Sequence, residues 1–458
     1  MPETEMRATE STHLVRDLGV SQAVSVVVGT IIGTGIFLVP KEMMQAVGSA
    51  RFVYLAWVVG GLLSFFGALT YAELGAMKPE AGGEYIYMRD GYGPLGGFLY
   101  AWTTFLISKP GSIATITAGI LRILGTFGPL KLLESPLVAI SPRLVINHGH
   151  IAGIGLIVLI SLVNYVGVKR AGNFQLFFTV LKVVIILGVV GIGFSYAGGG
   201  WSNFHTTFTG AAGGFGGFMV ALIAALWAYD GWNNLNMVAG EIRRPERNIP
   251  IALIAGVATC AVVYMLVNAA VQFVMPASSI AASGRPASDA VLMVLGAGAA
   301  TAFAAGMAVQ MLATLNGAIM TGARVPFATA HDGYFIKGLA TIHPRFHTPS
   351  VSIAFQGVLA TVLLLFAGNF QQLFSLTLFA EWLFYMLTAS TVFIFRHKQP
   401  GAPRPYKTWG YPVLPALFIA ASAMLLYYTF TADLRNSFTG VGVILAGVPV
   451  FFIFARKR

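Results

Sequence analysis

The sequence predicts an all-α integral membrane protein with twelve transmembrane helices, and three observations carry that prediction. Lys, Arg, Asp and Glu make only 10% of 458 residues, apolar residues make 56%, and the mean hydropathy is +0.76. An ordinary soluble domain carries about 25% charge. This composition excludes a disordered chain, a disulfide scaffold and an ordinary soluble enzyme. Apolar runs near the length of about 20 residues that spans a hydrocarbon core recur along the whole chain. The positive residues between those runs fall mostly on alternate gaps, the signature of membrane topology.

The runs are, in order, 21–47, 52–77, 95–126, 150–168, 173–197, 214–240, 250–275, 289–323, 350–368, 371–396, 411–432 and 436–455. Every gap is short, so no soluble domain fits between them. With residues 1–20 as a cytoplasmic tail, the gaps on that side hold about 18 Lys and Arg. The opposite side holds Arg51, Lys131, Arg143, Arg285 and Arg435. Both termini, including 456–458, are therefore expected in the cytoplasm, and an odd number of helices would spoil the asymmetry. The first run continues far past signal-peptide length with no small-residue cleavage site, so it reads as a retained span. The net charge of +11 is scattered rather than clustered, which speaks against nucleic acid as a partner. The single cysteine, Cys260, lies inside an apolar run and forbids an internal disulfide.

Two runs carry interruptions. The first contains Gly29-Thr30-Ile31-Ile32-Gly33-Thr34-Gly35-Ile36-Phe37, with Pro40 beyond; the sixth contains Trp227-Ala228-Tyr229-Asp230-Gly231-Trp232-Asn233-Asn234. They stand at equivalent places if 21–197 and 214–396 are two five-helix halves and 411–455 adds two helices. Interrupted helices at matching places are the best sequence pointer to a transporter's substrate site. Glycine costs about 1 kcal/mol per helix position relative to alanine, so three in seven residues favour a local break. A break frees amides at the start of one half-helix and carbonyls at the end of the other, and in lipid both need partners. A zwitterionic α-amino acid supplies a carboxylate for the first and an ammonium for the second. The competing reading of Gly29 and Gly33 is close helix packing through a GxxxG spacing.

The run from Gly29 to Phe37 resembles the first helix of the amino acid–polyamine–organocation superfamily. It is closest in pattern to the L-type amino acid transporters, the light-chain branch of heteromeric exchangers, and their bacterial relatives. Supporting stretches are Tyr71-Ala72-Glu73-Leu74-Gly75, Gly82-Gly83-Glu84-Tyr85, Ala228 through Asn233, Glu241 through Pro250, Asn316-Gly317 with Arg324, and Arg404-Pro405-Tyr406-Lys407. The resemblance runs across nearly the whole chain. It implies a leucine-transporter-type fold of two inverted five-helix repeats plus two peripheral helices, and alternating access in a plasma or inner membrane. By that analogy the amides beside Gly33, at Thr34 and Gly35, hold the substrate carboxylate. The carbonyls of Ile31, Trp227 and Asp230, with Ala228 between them, hold its ammonium. Trp227 gates the site, and Asn233 lines the side-chain end of the pocket. Trp227 read without the analogy is a packing or lipid-facing aromatic.

Three ionisable residues lie at membrane depth. Asp230 is either a counter-ion for a cationic substrate or an N-cap for the chain beyond the break. Lys182 follows a short gap by about nine residues, or about 14 Å, near the middle of a core about 30 Å thick. In the family a lysine there stands where sodium-coupled members bind a cation, which implies sodium-independent transport; otherwise it faces a wet vestibule. Glu381, in the tenth run, departs from the family pattern and reads as a proton carrier, a partner for a basic substrate or a partner for Lys182. Glu73 and Arg324 read as structural.

The eight histidines are expected in loops or tails, and no metal, nucleotide or nucleophile constellation occurs, so no cofactor and no catalytic residue is expected. Light chains of the family use a cysteine beyond helix three to link a partner glycoprotein; residues 127–150 hold none, so no disulfide-linked heavy chain is expected. The leading reading is a secondary amino acid transporter, an exchanger or permease. Its rivals are a proton-coupled carrier of cationic amino acids or polyamines, a channel, a membrane sensor and an intramembrane enzyme.

Overall fold

Backbone polar groups inside a bilayer must be satisfied within the chain, so long apolar runs fold as helices. The computed structural model describes residues 14–456 apart from 126, 142–143, 367–369 and 433, and each of the twelve apolar runs is helical within it. Arg7, His13, Arg143, Lys457 and Arg458, and with them most of both expected tails, lie outside the described residues.

The first run is two helices, α1 (Val20–Ile31) and α2 (Gly35–Val47), bent by 41° at the break between them. Next come α3 (Ala50–Met77), the short α4 (Glu84–Tyr92), α5 (Pro94–Thr103) and α6 (Lys109–Gly125). A π-helical turn, Thr104–Ser108, joins α5 to α6. After α7 (His148–Tyr165) and α8 (Val168–Phe194), the sixth run forms α9 (Gly214–Ala228) and the single turn α10 (Asn234–Met237). There follow α11 (Pro245–Val274), α12 (Ala277–Ala282), α13 (Pro286–Leu295), α14 (Ala297–Gly322) and α15 (Arg324–His331). The chain closes with α16 (Ser350–Phe366), α17 (Phe370–Lys398), α18 (Val413–Ala432) and α19 (Leu434–Ala455). Among the described residues eight helical stretches are long and apolar enough to cross a membrane, nine with the bent pair; α9, α13 and α16 are shorter apolar helices. The molecule is a multi-pass helical membrane protein.

Four expectations need correction. The fold is not wholly α: Pro136–Ser141 and Leu144–Asn147 pair antiparallel before α7, as their Val, Leu and Ile content favours. The run 289–323 is not one helix, because Gly296 takes a positive φ of 80° and separates α13 from α14. The run 214–240, expected as one interrupted span, is α-helical only to Ala228 and again over the four residues of α10. Four histidines lie in α-helices rather than loops: His148 and His150 open α7, His331 ends α15, and His397 is in the last turn of α17.

The broken elements sit at the centre of the packing. α1 rests on α8 and α11, α2 rests on α9, and α11 also packs on α3 and α8. The ends are tied as well. Leu18 N–H donates to Glu241 O at 2.9 Å, and Arg243 N–H donates back to Leu18 O at 2.8 Å. At the other end Gly213 N–H donates to Ala46 O at 2.9 Å. Buried charges beneath are paired. Arg324 grips Glu241 through two bonds of 2.7 and 2.9 Å, with both side chains fully buried. Arg396 does the same to Glu73 at 2.9 and 2.7 Å.

Candidate substrate site

At the first break Ile32, Gly33 and Thr34 leave the helix, with Ile32 extended at ψ 92°. The amides of Gly33, Thr34 and Gly35 then have no acceptor among the described residues. They stand at the N-terminus of α2, where N–H groups and the helix dipole favour an anion. The carbonyl end of the break is occupied instead. Lys182 Nζ, fully buried on α8, donates to Gly29 O at 2.9 Å and Ile32 O at 2.5 Å and lies 3.0 Å from Thr314 Oγ1. Thr314 of α14 in turn donates to Gly29 O at 3.1 Å.

The second break meets the first directly. Gly231 has φ 109°, and a Cβ there would stand 3.0 Å from Thr30 O. A Cβ on Gly35 would stand 3.1 Å from Ala228 Cα and 3.5 Å from the Trp227 ring. Only glycine permits this approach. Thr30 Oγ1 donates to Gly231 O at 2.9 Å. Tyr264 OH, on α11, lies 3.0 Å from Ile31 O and 2.7 Å from Ala228 O. One hydroxyl carries one proton, so it can donate to only one of the two carbonyls at a time. Trp227 O accepts the Asp230 amide at 3.2 Å, and the Trp227 ring is half-buried against Gly35.

Beyond the break the side chains form a chain of hydrogen bonds. Tyr385 OH lies 2.7 Å from Asp230 Oδ1 and 3.0 Å from Asn233 Oδ1. Asn233 Nδ2 donates to Glu84 Oε1 at 2.5 Å, and Tyr100 OH donates to Glu84 Oε2 at 3.1 Å. Lys109 Nζ donates to Asn234 Oδ1. Tyr100, Lys109, Asn233 and Tyr385 of this set border a small, partly open cavity of about 10 Å³, lined also by Glu381, Thr104 and Ser108.

Ile31, Gly33, Thr34, Gly35, Trp227, Ala228 and Asp230 thus lie around one junction, with Lys182 on its carbonyl side. Asn233 and Glu381 sit together at the cavity. Among the described residues no ion pair joins Lys182 to Glu381; the bonds of Lys182 go to α1 and Thr314. The sequence reading missed Lys109, Glu84, Tyr100, Tyr264, Thr314 and Tyr385. Lys109 was findable as a charge deep in an apolar run, at a π turn of the kind that marks functional sites. Glu84 is only the first residue of a short helix in the sequence, and the two tyrosines of α11 and α17 carry no pattern that separates them from packing aromatics.

The family model for amino acid permeases matches residues 18–454. The serine/threonine exchanger SteT of Bacillus subtilis is 30% identical over 455 residues, 98% of this chain and 99% of that one. The human b(0,+)-type amino acid transporter 1 is 31% identical over 98% of this chain and 90% of its own length. The human cystine/glutamate transporter is 31% identical over 97% and 86%. Two breaks that meet with open amides on one side, and a match that runs from before α1 to the end of α19, agree: the chain belongs to the amino acid permease family and is an amino acid transporter, not an enzyme.

Proposed function

We propose that the protein is a sodium-independent amino acid exchanger that works by alternating access. The observation that carries the reading is Lys182: its ammonium occupies Gly29 O and Ile32 O, the carbonyls at the break that would otherwise suit a bound cation. The substrate carboxylate takes the amides of Gly33, Thr34 and Gly35. Its ammonium takes the lone pairs left on Ile31, Trp227 and Asp230 carbonyls, with Tyr264 shifting its single proton between Ile31 and Ala228. Trp227, lying on Gly35, closes the site from one side. Exchange rather than net uptake is favoured because the relatives include one named as a serine/threonine exchanger.

The proposed frame is twelve spans in a cell membrane, with 21–197 and 214–396 as inverted five-helix repeats, 411–455 as two peripheral helices and both termini cytoplasmic. Cys260 is buried in α11, which supports a chain that works without a disulfide-linked heavy chain. The test is uptake of radiolabelled amino acids into proteoliposomes, with and without internal amino acid and with and without sodium. Uptake accelerated by internal amino acid and indifferent to sodium is expected. Uptake that needs a sodium gradient, or none in any condition, sinks the proposal.

A further inference from the structure

Glu381 is the acid whose partner is missing. Of three neighbouring carboxylates, Glu381 lines the cavity beside Lys109, while Glu84 and Asp230 are hydrogen-bonded to residues that line it. Glu84 is held by Asn233 and Tyr100, Asp230 is held by Tyr385, and Lys109 donates to Asn234. Among the described residues Glu381 makes no hydrogen bond and no ion pair, yet it lines the same small cavity as Asn233 and Lys109. A carboxylate at membrane depth is costly unless it is paired. Lys109 offsets only one of three acids, and its own bond goes elsewhere. To be ionised, Glu381 therefore needs a donor that enters from outside the chain.

The space sets the size of that donor. A volume of about 10 Å³ holds about one water-sized group. A primary ammonium is one heavy atom; a guanidinium is four. We propose that Glu381 is the counter-charge for a primary ammonium at the end of the substrate's side chain, so that the site prefers basic amino acids such as ornithine and lysine over their neutral isosteres and over arginine. The proposal rests on the amino acid exchange reading and adds the side-chain class to it. The backbone of such a substrate lies at the two breaks, and its side chain passes Asn233 toward α17.

The experiment compares exchange of L-ornithine with exchange of its neutral isostere L-norleucine in proteoliposomes, for wild type, Glu381→Gln and Glu381→Asp. Wild type is expected to favour ornithine. Glu381→Gln is expected to lower the ornithine-to-norleucine ratio of kcat/KM by at least about tenfold, and Glu381→Asp to keep most of the preference. Equal losses on both substrates, no loss on ornithine, or a wild-type preference for norleucine overturns the proposal. So does a Gln variant that loses only a proton-gradient dependence of norleucine uptake, which would make Glu381 a proton carrier. Because a variant can fail to fold, thermal stabilisation of the wild-type protein by each ligand is measured alongside; stabilisation by norleucine alone is also fatal. Wild type that exchanges neutral amino acids but not ornithine overturns this assignment and leaves the exchange reading standing, whereas exchange of no amino acid overturns both.

Discussion

The two breaks solve the same problem in different ways. At the first, the freed carbonyls are taken by side chains from three other helices, Lys182, Tyr264 and Thr314, while the amides stay open. At the second, Gly231 O accepts from Thr30 of the neighbouring break and Trp227 O from the chain's own Asp230 amide, and only Ala228 O shares the Tyr264 hydroxyl. What the second break offers is side chains, Asp230 and Asn233, joined through Tyr385 to Glu84. On the proposed function the first is a backbone site whose chemistry suits any α-amino acid, and the second faces the part of the substrate that differs between amino acids. The difference separates recognition of the common end from recognition of the variable end.

The most severe way to break this comparison is Lys182→Met. Methionine keeps much of the volume and removes every donor. The single Thr314 hydroxyl can then serve only one of Gly29 O and Ile32 O; a buried carbonyl left without a donor costs about 1–3 kcal/mol, so transport is expected to fall about a hundredfold. The loss should be alike for every amino acid, because the first break reads only the common end. Initial rates of exchange in proteoliposomes for small, large and charged substrates check this; a loss confined to one class would show that the first break also reads side chains.

Glycine substitutions sharpen the same contrast through stability. Gly231→Ala puts a Cβ against Thr30 O at a φ of 109°, which an L side chain rarely adopts. The expected cost is about 1–3 kcal/mol. Gly33→Ala meets only Ile31 O, at 4.0 Å. It should unfold within about 0.5 kcal/mol of wild type. Thermal unfolding of the purified protein reads both. If the two variants unfold alike, the close approach of the breaks is not what demands glycine.

Asp230→Asn is a milder change, because the amide oxygen still accepts from Tyr385. An effect of about 0.5–1.5 kcal/mol is expected, falling on substrates with a polar side chain more than on alanine, in the same exchange assay. Uniform loss would move Asp230 to the backbone side of the comparison.

What was readable in the sequence follows from the same division. Gly29, Gly33 and Gly35 announce the first break because glycine weakens a helix in any context. Asp230 announces the second because a charge in an apolar run is rare. The twelve runs are readable because a lipid-facing helix needs apolar length and little else. Tyr264 and Tyr385 were not readable, since a tyrosine in a span serves packing as readily as hydrogen bonding, and only its position against Ile31 O or Asp230 Oδ1 decides. Glu84 was hidden for a different reason. It sits outside any apolar run, at the head of α4, and is carried into the site by the turn Gly82-Gly83, both at positive φ. Gly296 splits one run into two helices because a single glycine at positive φ leaves the apolar pattern intact on either side.

The smallest expected effect is a control that lies outside both breaks. Asp90, in α4, is partly buried, which by itself would push its carboxyl up; hydrogen bonds from Arg89 Nε at 2.8 Å and Lys78 Nζ at 2.7 Å outweigh this and hold it below the ordinary carboxylate range. A group lowered in the folded state stabilises fully above its unfolded pKa of about 4. That stability is lost as the pH falls through the lower folded value. The side chains involved are about a fifth exposed, so the contribution is about 0.2–1 kcal/mol. Thermal unfolding of wild type and Asp90→Asn between pH 7 and pH 3 should show the variant less stable at pH 7 and the two converging on acidification. High salt should shrink the gap at pH 7, because these charges face water. The same salt should leave the Lys182→Met defect unchanged, since that ammonium is fully enclosed. Equal salt sensitivity of the two would mean that the junction of the breaks is as wet as the surface, and the division between a sealed backbone site and a screened periphery would fail.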